Sequence, residues 1–171
     1  MMMNQVAFNT FLFDLRPKLY RFSLSLLKRH EAAEDVVQEV GFRLWKGIRS
    51  GADHPRMEAL AMCTAKNLCI DVLRKNNRRE GYLKEATLGH KTQTLRTPQI
   101  ILEEKDTHAF ICSLIDRLPL QQKMCIRLRD VEGYELSEIA DILESDEGSV
   151  RTNLSRARKK IREQMLQQWN R

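Results

Sequence analysis

The stretch that decides the fold is Glu135-Leu136-Ser137-Glu138-Ile139-Ala140-Asp141-Ile142-Leu143-Glu144-Ser145-Asp146-Glu147-Gly148-Ser149-Val150-Arg151-Thr152-Asn153-Leu154-Ser155-Arg156-Ala157-Arg158-Lys159-Lys160-Ile161-Arg162. Leu136, Ile139, Ala140 and Leu143 recur at helical spacing, as do Val150, Leu154, Ala157 and Ile161. Between the two stripes, Glu144-Ser145-Asp146 leaves room only for a short turn, and small Ala140 lets the two helices cross closely: the pattern of a helix-turn-helix. With the second stripe turned inward, Ser149, Arg151, Thr152, Ser155 and Arg156 face outward near the helix start. Arg forks onto the acceptor edge of guanine, Ser and Thr bond to bases or phosphates, and a helix start favours phosphate. Taken alone, the same helix also reads as a solvated basic face.

Charge is segregated around this turn. Every charged residue from 130 to 147 is acidic (Asp130, Glu132, Glu135, Glu138, Asp141, Glu144, Asp146, Glu147), whereas Arg151, Arg156, Arg158, Lys159, Lys160 and Arg162 precede the next acid, Glu163. Across the chain, 29 Lys plus Arg stand against 23 Asp plus Glu, a formal charge of +6 that favours an anionic partner without establishing one. The segregation says more, because it makes one electropositive end that suits phosphates.

Upstream, the period is helical almost throughout, and no alternating stretch is long enough for a sheet. The expected fold is all-α, with two small helical domains joined by a flexible linker: residues 1–80, a linker over 81–105, and 106–171 carrying the helix-turn-helix. Domains this small bury little surface, so they are expected to lean on a partner. A first stripe runs Phe8, Phe11, Leu12, Leu15, Leu19, Phe22, Leu26; Pro17 is expected to kink or restart this helix, with Asp14 as the cap. A second runs Val36, Val37, Val40, Leu44, Trp45, Ile48 and ends in a loop at residues 50–55. A third helix over about residues 56–75 is apolar at Met57, Leu60, Ala61, Leu68 and Val72, leaving Asn67, Asp71 and Arg74 on a narrow exposed strip. Arg78 and Arg79 then close the first half. In the second half, Phe110, Ile111, Leu114 and Ile115 lead to a Leu118-Pro119 break, then to Met124, Cys125, Leu128 and Val131 and a stop at Gly133.

The stretch from Leu118-Pro119 to Arg162 resembles the carboxy-terminal domain of extracytoplasmic-function sigma factors, a subfamily of the sigma-70 family of RNA polymerase sigma factors. Glu31 through Trp45 is similar to that family's polymerase-contacting helix, and Ala65 through Arg74 to its promoter-melting helix. The resemblance implies partnership with core RNA polymerase and promoter DNA, and with an anti-sigma protein, commonly a membrane one. It assigns Asp35, Gln38 and Glu39 to the clamp helices of the polymerase largest subunit. Asn67, Asp71, Arg74, Arg78 and Arg79 fall to the minus-ten element, and Ser149, Arg151, Thr152, Ser155, Arg156, Arg158 and Lys159 to the minus-thirty-five element. Arg158, Lys159, Lys160 and Arg162 are expected to supply mainly backbone attraction. The loop over residues 46–55 matches the place where the family captures a flipped base, and strand opening is expected to draw on binding energy alone. Asn67 also reads as an inter-helix amide, and Asp71 as the partner of Arg74 or Lys75. The second half departs from the family at two positions: Glu144 stands where a turn Gly is usual, a disfavoured residue for a left-handed conformation, and Asn153 where a basic residue is common. The first half departs early in the third helix, where Glu58, Ala59, Leu60 and Ala61 stand in place of the family's frequent aromatic residue.

Other functions find less support. A repressor or response regulator shares the helix-turn-helix, but the amino-terminal half shows no alternating five-strand receiver pattern. His30-Glu31-Ala32-Ala33-Glu34 lacks the second His of a zinc helix, and no Gly-rich phosphate loop or nucleophile elbow is present, so no catalytic residue, metal, cofactor or small-molecule substrate is expected. Cys63, Cys69, Cys112 and Cys125 fall within apolar helical patterns without a CxxC pair, and are expected to be buried, reduced and intracellular. The opening residues lack a secretory pattern and charges interrupt every apolar run, so membrane insertion is not expected and the location expected is cytoplasmic.

Overall fold

The computed structural model describes residues 5–49, 56–86 and 103–169. Its helices are α1 (Gln5–Leu27), α2 (His30–Arg49), α3 (Met57–Ala86), α4 (Glu103–Asp116), α5 (Leu120–Ile126), α6 (Leu136–Leu143) and α7 (Glu147–Trp169); a π-helical turn, Arg127–Val131, extends α5. No strand occurs among the described residues, and the all-α expectation holds.

The first half packs α1, α2 and α3 against one another. Leu15, Leu19, Phe22 and Leu26 of α1 meet Val36, Val37, Val40, Leu44 and Ile48 of α2, all buried as their stripes predict. Gly41 brings the two helices close: a Cβ there would stand 3.0 Å from Leu12 Cδ2. Contrary to expectation, α1 runs unbroken through Pro17, and Asp14 lies inside the helix rather than capping a restart. Pro17 is on the exposed side, and the buried face on either side of it holds the helix together despite the lost hydrogen bond.

Two expectations for α3 also change. Its buried line is Ala61, Met62, Ala65, Lys66 and Cys69, while Leu60 is 38% exposed; the helix is turned away from the expected face, and Leu68 and Val72 are only partly buried. It also continues past residue 75 to Ala86, well into the predicted linker, and α4 already begins at Glu103. Residues 76–86 contain no Pro and are rich in helix formers, which Gly81 alone does not interrupt. The rest of the predicted linker, residues 87–102, lies outside the described residues.

In the second half, Pro119 precedes α5 as its cap residue, and Gly133 takes φ +82 in the turn before α6. Glu135 and Glu138 form a reciprocal capping box at the start of α6, with the Glu135 N–H donating to the Glu138 carboxylate at 2.8 Å. Ile139, Ala140, Ile142 and Leu143 pack on Val150, Leu154 and Ala157 of α7. The cysteines are free; Cys69 and Cys125 are buried, whereas Cys63 and Cys112 are only half-buried, short of expectation. Burial pushes the thiols of Cys69 and Cys125 up to about 11, so both are protonated and inert.

The buried apolar residues of the two halves form one connected cluster, and a line of polar contacts crosses between them. Arg21 grips Glu132 with two bonds, at 3.0 and 2.6 Å; Lys28 pairs with Asp116 at 2.5 Å; Arg56 pairs with Asp141; and Lys66 pairs with Glu144 at 2.5 Å. The Tyr134 hydroxyl donates to Glu58 at 2.6 Å, and Lys18 donates to the same oxygen at 2.8 Å while lying 5.1 Å above the Tyr134 ring.

Burial alone would push the Glu58 carboxyl up, but Lys18 and Tyr134, both donating to it, hold it below the usual carboxylate range. Stability from this contact is therefore complete above the unfolded value of about 4.3 and is lost as pH falls through the lower folded value. Glu58→Gln is expected to flatten the acid limb of a melting temperature against pH profile; an unchanged limb would show that Glu58 carries none of it.

Candidate nucleic-acid interface

The turn between α6 and α7 sets the position of α7. Glu144 ends α6 in a left-handed conformation (φ 52, ψ 48), and the Ser145 N–H reaches back to the Ala140 carbonyl at 2.9 Å. The turn thus keeps the geometry that glycine would ordinarily supply, at a conformational cost of about 1 kcal/mol for a residue bearing a Cβ. Asp146 then starts α7, accepting from the Ser149 N–H at 2.8 Å and from its hydroxyl at 2.6 Å. Those bonds hold the Asp146 carboxyl below its ordinary range and fix the first turn of the helix.

The inward residues of α7 are as expected: Val150, Leu154 and Ala157 are buried and Ile161 is partly so. Arg151, Thr152, Ser155 and Arg156 are exposed on the opposite side. Their surroundings differ. Arg151 lies 3.7 Å from Glu147 one turn back, and Lys159 lies 3.9 Å from Glu163 one turn ahead, loose contacts that a phosphate can replace. Ser149 spends its hydroxyl on Asp146, and Asn153 donates its amide to the Ser149 carbonyl at 3.0 Å. Arg158 departs most from expectation, because it forks onto Asp130 with bonds of 3.1 and 2.5 Å, tying α7 to the π-helical turn. Arg156 pairs with no acid among the described residues and stands as the least encumbered guanidinium of the set.

On α3, Asn67, Asp71 and Arg74 do share one exposed strip, continued by exposed Arg78. Asp71 lies 4.0 Å from Arg74, the pairing left open as an alternative. The Asn67 amide donates to Cys63 Sγ at 3.8 Å and also helps hold the Glu144 carboxyl down, behind Lys66. The side chain of Arg79 and residues 50–55 lie outside the described residues, and residues 46–49, expected to open a loop, are the last turn of α2.

Lys66, beside Asn67, was not anticipated. Its side chain is only 5% exposed, and the Glu144 carboxylate covers it. A lysine within a line of small buried residues is the one sequence signal that could have marked it; its partner, 78 positions away, has no local signal.

Asp35 and Gln38 are exposed on α2 and Glu39 is partly so, held by Arg43 at 2.6 Å. Phe42, 63% exposed, lies beside them. Gln38 and Phe42 line an open cleft of about 440 Å³ that also includes Phe8, Leu12 and Trp45. This face therefore combines exposed polar groups with exposed apolar surface. No described helix is long and apolar enough to cross a membrane.

Comparison with known proteins agrees with this geometry. The family model described as sigma-70 region 2 matches residues 12–79, spanning α1 to α3, and that described as sigma-70, region 4 matches residues 112–161, spanning the helix-turn-helix. Among relatives, the ECF RNA polymerase sigma factor SigX of Bacillus subtilis is 26% identical over 166 residues, covering 94% of this chain and 82% of that protein. The ECF RNA polymerase sigma-E factor of Escherichia coli K12 is 26% identical over 168 residues, covering 92% and 86%. Among solved structures, sigma factor RpoE in complex with the anti-sigma factor NepR from Bartonella quintana shares the fold with a TM-score of 0.69 at 23% identity, covering 91% of this chain and 94% of that one. CnrH in complex with the cytosolic domain of CnrY follows at 0.68 and 20%, covering 95% and 89%. With both conserved regions of one family in order along a single all-α chain, the protein belongs to the extracytoplasmic-function group of the sigma-70 family of sigma factors.

Proposed function

We propose that this chain is a non-catalytic specificity subunit of bacterial RNA polymerase, working in the cytoplasm, that carries the core enzyme to promoters and starts transcription there. The observation that carries this reading is the pairing, in one chain, of an exposed polar strip on α3 with a capped basic reading helix α7. A lone helix-turn-helix regulator needs only the second. Asp35, Gln38 and Glu39 orient the docking of α2 on polymerase while Phe42 supplies apolar area. Asn67, Asp71, Arg74, Arg78 and Arg79 follow the minus-ten strand. Arg151, Thr152, Ser155 and Arg156 read the minus-thirty-five duplex, and Ser149 positions that helix through Asp146. Arg158 belongs to the same reading chiefly as a brace, and Lys159 as a phosphate contact. The free energy for strand opening comes from these contacts, with unstacked bases held and left chemically unchanged. An anti-sigma protein, the partner of the structural relatives named above, is the expected regulator.

Runoff transcription with core polymerase on a promoter library is expected to give promoter-dependent transcripts, and their absence together with failure to co-purify with core would end the reading. Arg156→Ala should weaken binding to a cognate minus-thirty-five duplex by about 1–3 kcal/mol with no change in melting temperature. Arg158→Ala should lower the melting temperature as well, since Asp130 loses its partner. Equal melting curves for the two variants would count against the brace.

A further inference from the structure

The polar contacts between the halves are not scattered. Apart from the Tyr134 to Glu58 bond, the cations come from the first half, on Arg21, Lys28, Arg56 and Lys66, and the acids from the second, on Glu132, Asp116, Asp141 and Glu144. The non-glycine residues at positive φ among the described residues are Lys28 (φ 58) and Glu144 (φ 52), and each carries an ion pair across this seam. Glycine would satisfy either turn with less strain but could not make the contact.

One of these contacts lies beside the strip assigned to the minus-ten strand, at Asn67. Lys66 is nearly buried, and Glu144 is the acid that covers it, with the Asn67 amide beside the same carboxylate. While α6 covers it, that ammonium is tolerated because the Glu144 carboxylate sits on it; parting α6 from α3 returns Lys66 to water and leaves it open to another anion. The two promoter elements are named for positions about 25 base pairs apart, on the order of 85 Å along a duplex. With Lys66 and Glu144 in contact at 2.5 Å, the α3 strip and the turn preceding the reading helix are adjacent, and one chain in this form cannot reach both elements.

We propose that Lys66 is a concealed phosphate-binding residue at the edge of the α3 strip, next to Asn67, and that Glu144 is its built-in competitor, occupying on Lys66 and Asn67 the place of a DNA phosphate and so holding the free chain closed. The proposal rests on the reading of α3 as a DNA-binding helix. Binding to DNA exchanges the carboxylate for a phosphate, and the apparent affinity of the closed chain is reduced by the fraction of molecules that are open. The other pairs of the seam add to closure, while only Glu144 competes directly for the strip.

The test compares Glu144→Gly, which suits φ 52 and removes the acid, with Lys66→Gln, which removes the cation. Both are expected to raise the radius of gyration of the full chain by small-angle scattering at low salt. Their affinities for a short fluorescent duplex of arbitrary sequence should differ. Glu144→Gly should bind about threefold or more tighter than the parent. Lys66→Gln should bind more weakly than Glu144→Gly and flatten the slope of log affinity against log salt by about 0.9, one phosphate contact. Should Lys66→Gln fail to fold, the exchange Lys66→Glu with Glu144→Lys keeps the pair, since Lys28 shows that lysine accepts this conformation. It should restore the compact form yet bind DNA poorly. An unchanged radius for Glu144→Gly overturns the closure, and equal affinities and salt slopes for Glu144→Gly and Lys66→Gln overturn the phosphate site. The scattering result stands apart from promoter-directed transcription, so failure of the sigma-factor reading would appear in runoff assays while the radius still reported on the seam.

Discussion

Helix α3 has to satisfy three neighbours at once. Two of its sides meet α1 and α2, another meets α6, and what remains is the exposed strip. A helix enclosed this way cannot carry bulky side chains toward every neighbour, and Ala61, Ala65 and Cys69 are fully buried beside a single large apolar side chain, Met62. Close approach of the backbones is what brings position 66 under the second half. An ammonium there is tolerable only with an anion on it, which makes the placement of α6 and the occupancy of Lys66 parts of one constraint.

The run of acids from residue 130 to 147 looked uniform in sequence, and the fold gives its members separate work. Glu135 and Glu138 cap α6 and Asp146 caps α7, close to helix starts where negative charge is favoured. Asp130 braces α7 through Arg158. Glu132, Asp141 and Glu144 face the first half and its cations. The acidic run and the basic helix after it are therefore not a single dipole offered to one partner. Much of the acid is spent within the protein, and the cations left open to solvent on α7 are fewer than the sequence suggests.

The helix-turn-helix was legible because its information is local. Leu136 to Leu143 and Val150 to Ile161 each declare a buried face within a few turns, and the caps lie next to the helices they cap. The first two helices were legible for the same reason, and so was the exposed strip of Asn67, Asp71 and Arg74. What escaped was set by distant partners. Pro17 predicted a break that the buried face of α1 overrides, and α3 continued where Gly81 suggested an end. The turn of α3 that buries Met62 and exposes Leu60 follows from contact with α1, α2 and α6 together, and no single-helix pattern contains it. Arg158 was assigned to DNA because its sequence neighbours are basic, whereas its carboxylate lies 28 positions back. The departure at Glu144 was visible as a residue out of keeping with its turn, but its reason was Lys66, half the chain away.

A seam rich in ion pairs has a physical consequence that a purely apolar one would not have. Separating two apolar faces exposes them to water at a cost proportional to area, whereas many of the charges here are partly exposed already and regain hydration as they part. Arg21 and Lys28 retain about half of their side-chain exposure, at 54% and 48%, so their contributions are modest and weakened by salt. Glu132 and Tyr134 differ, being almost fully covered; they fix register, because a buried carboxylate tolerates few arrangements of its partner. The arrangement combines a specific closed geometry with a low resistance to separation. The salt that weakens the exposed pairs leaves the covered Glu132 and Tyr134 contacts least affected, so register outlasts the rest of the seam.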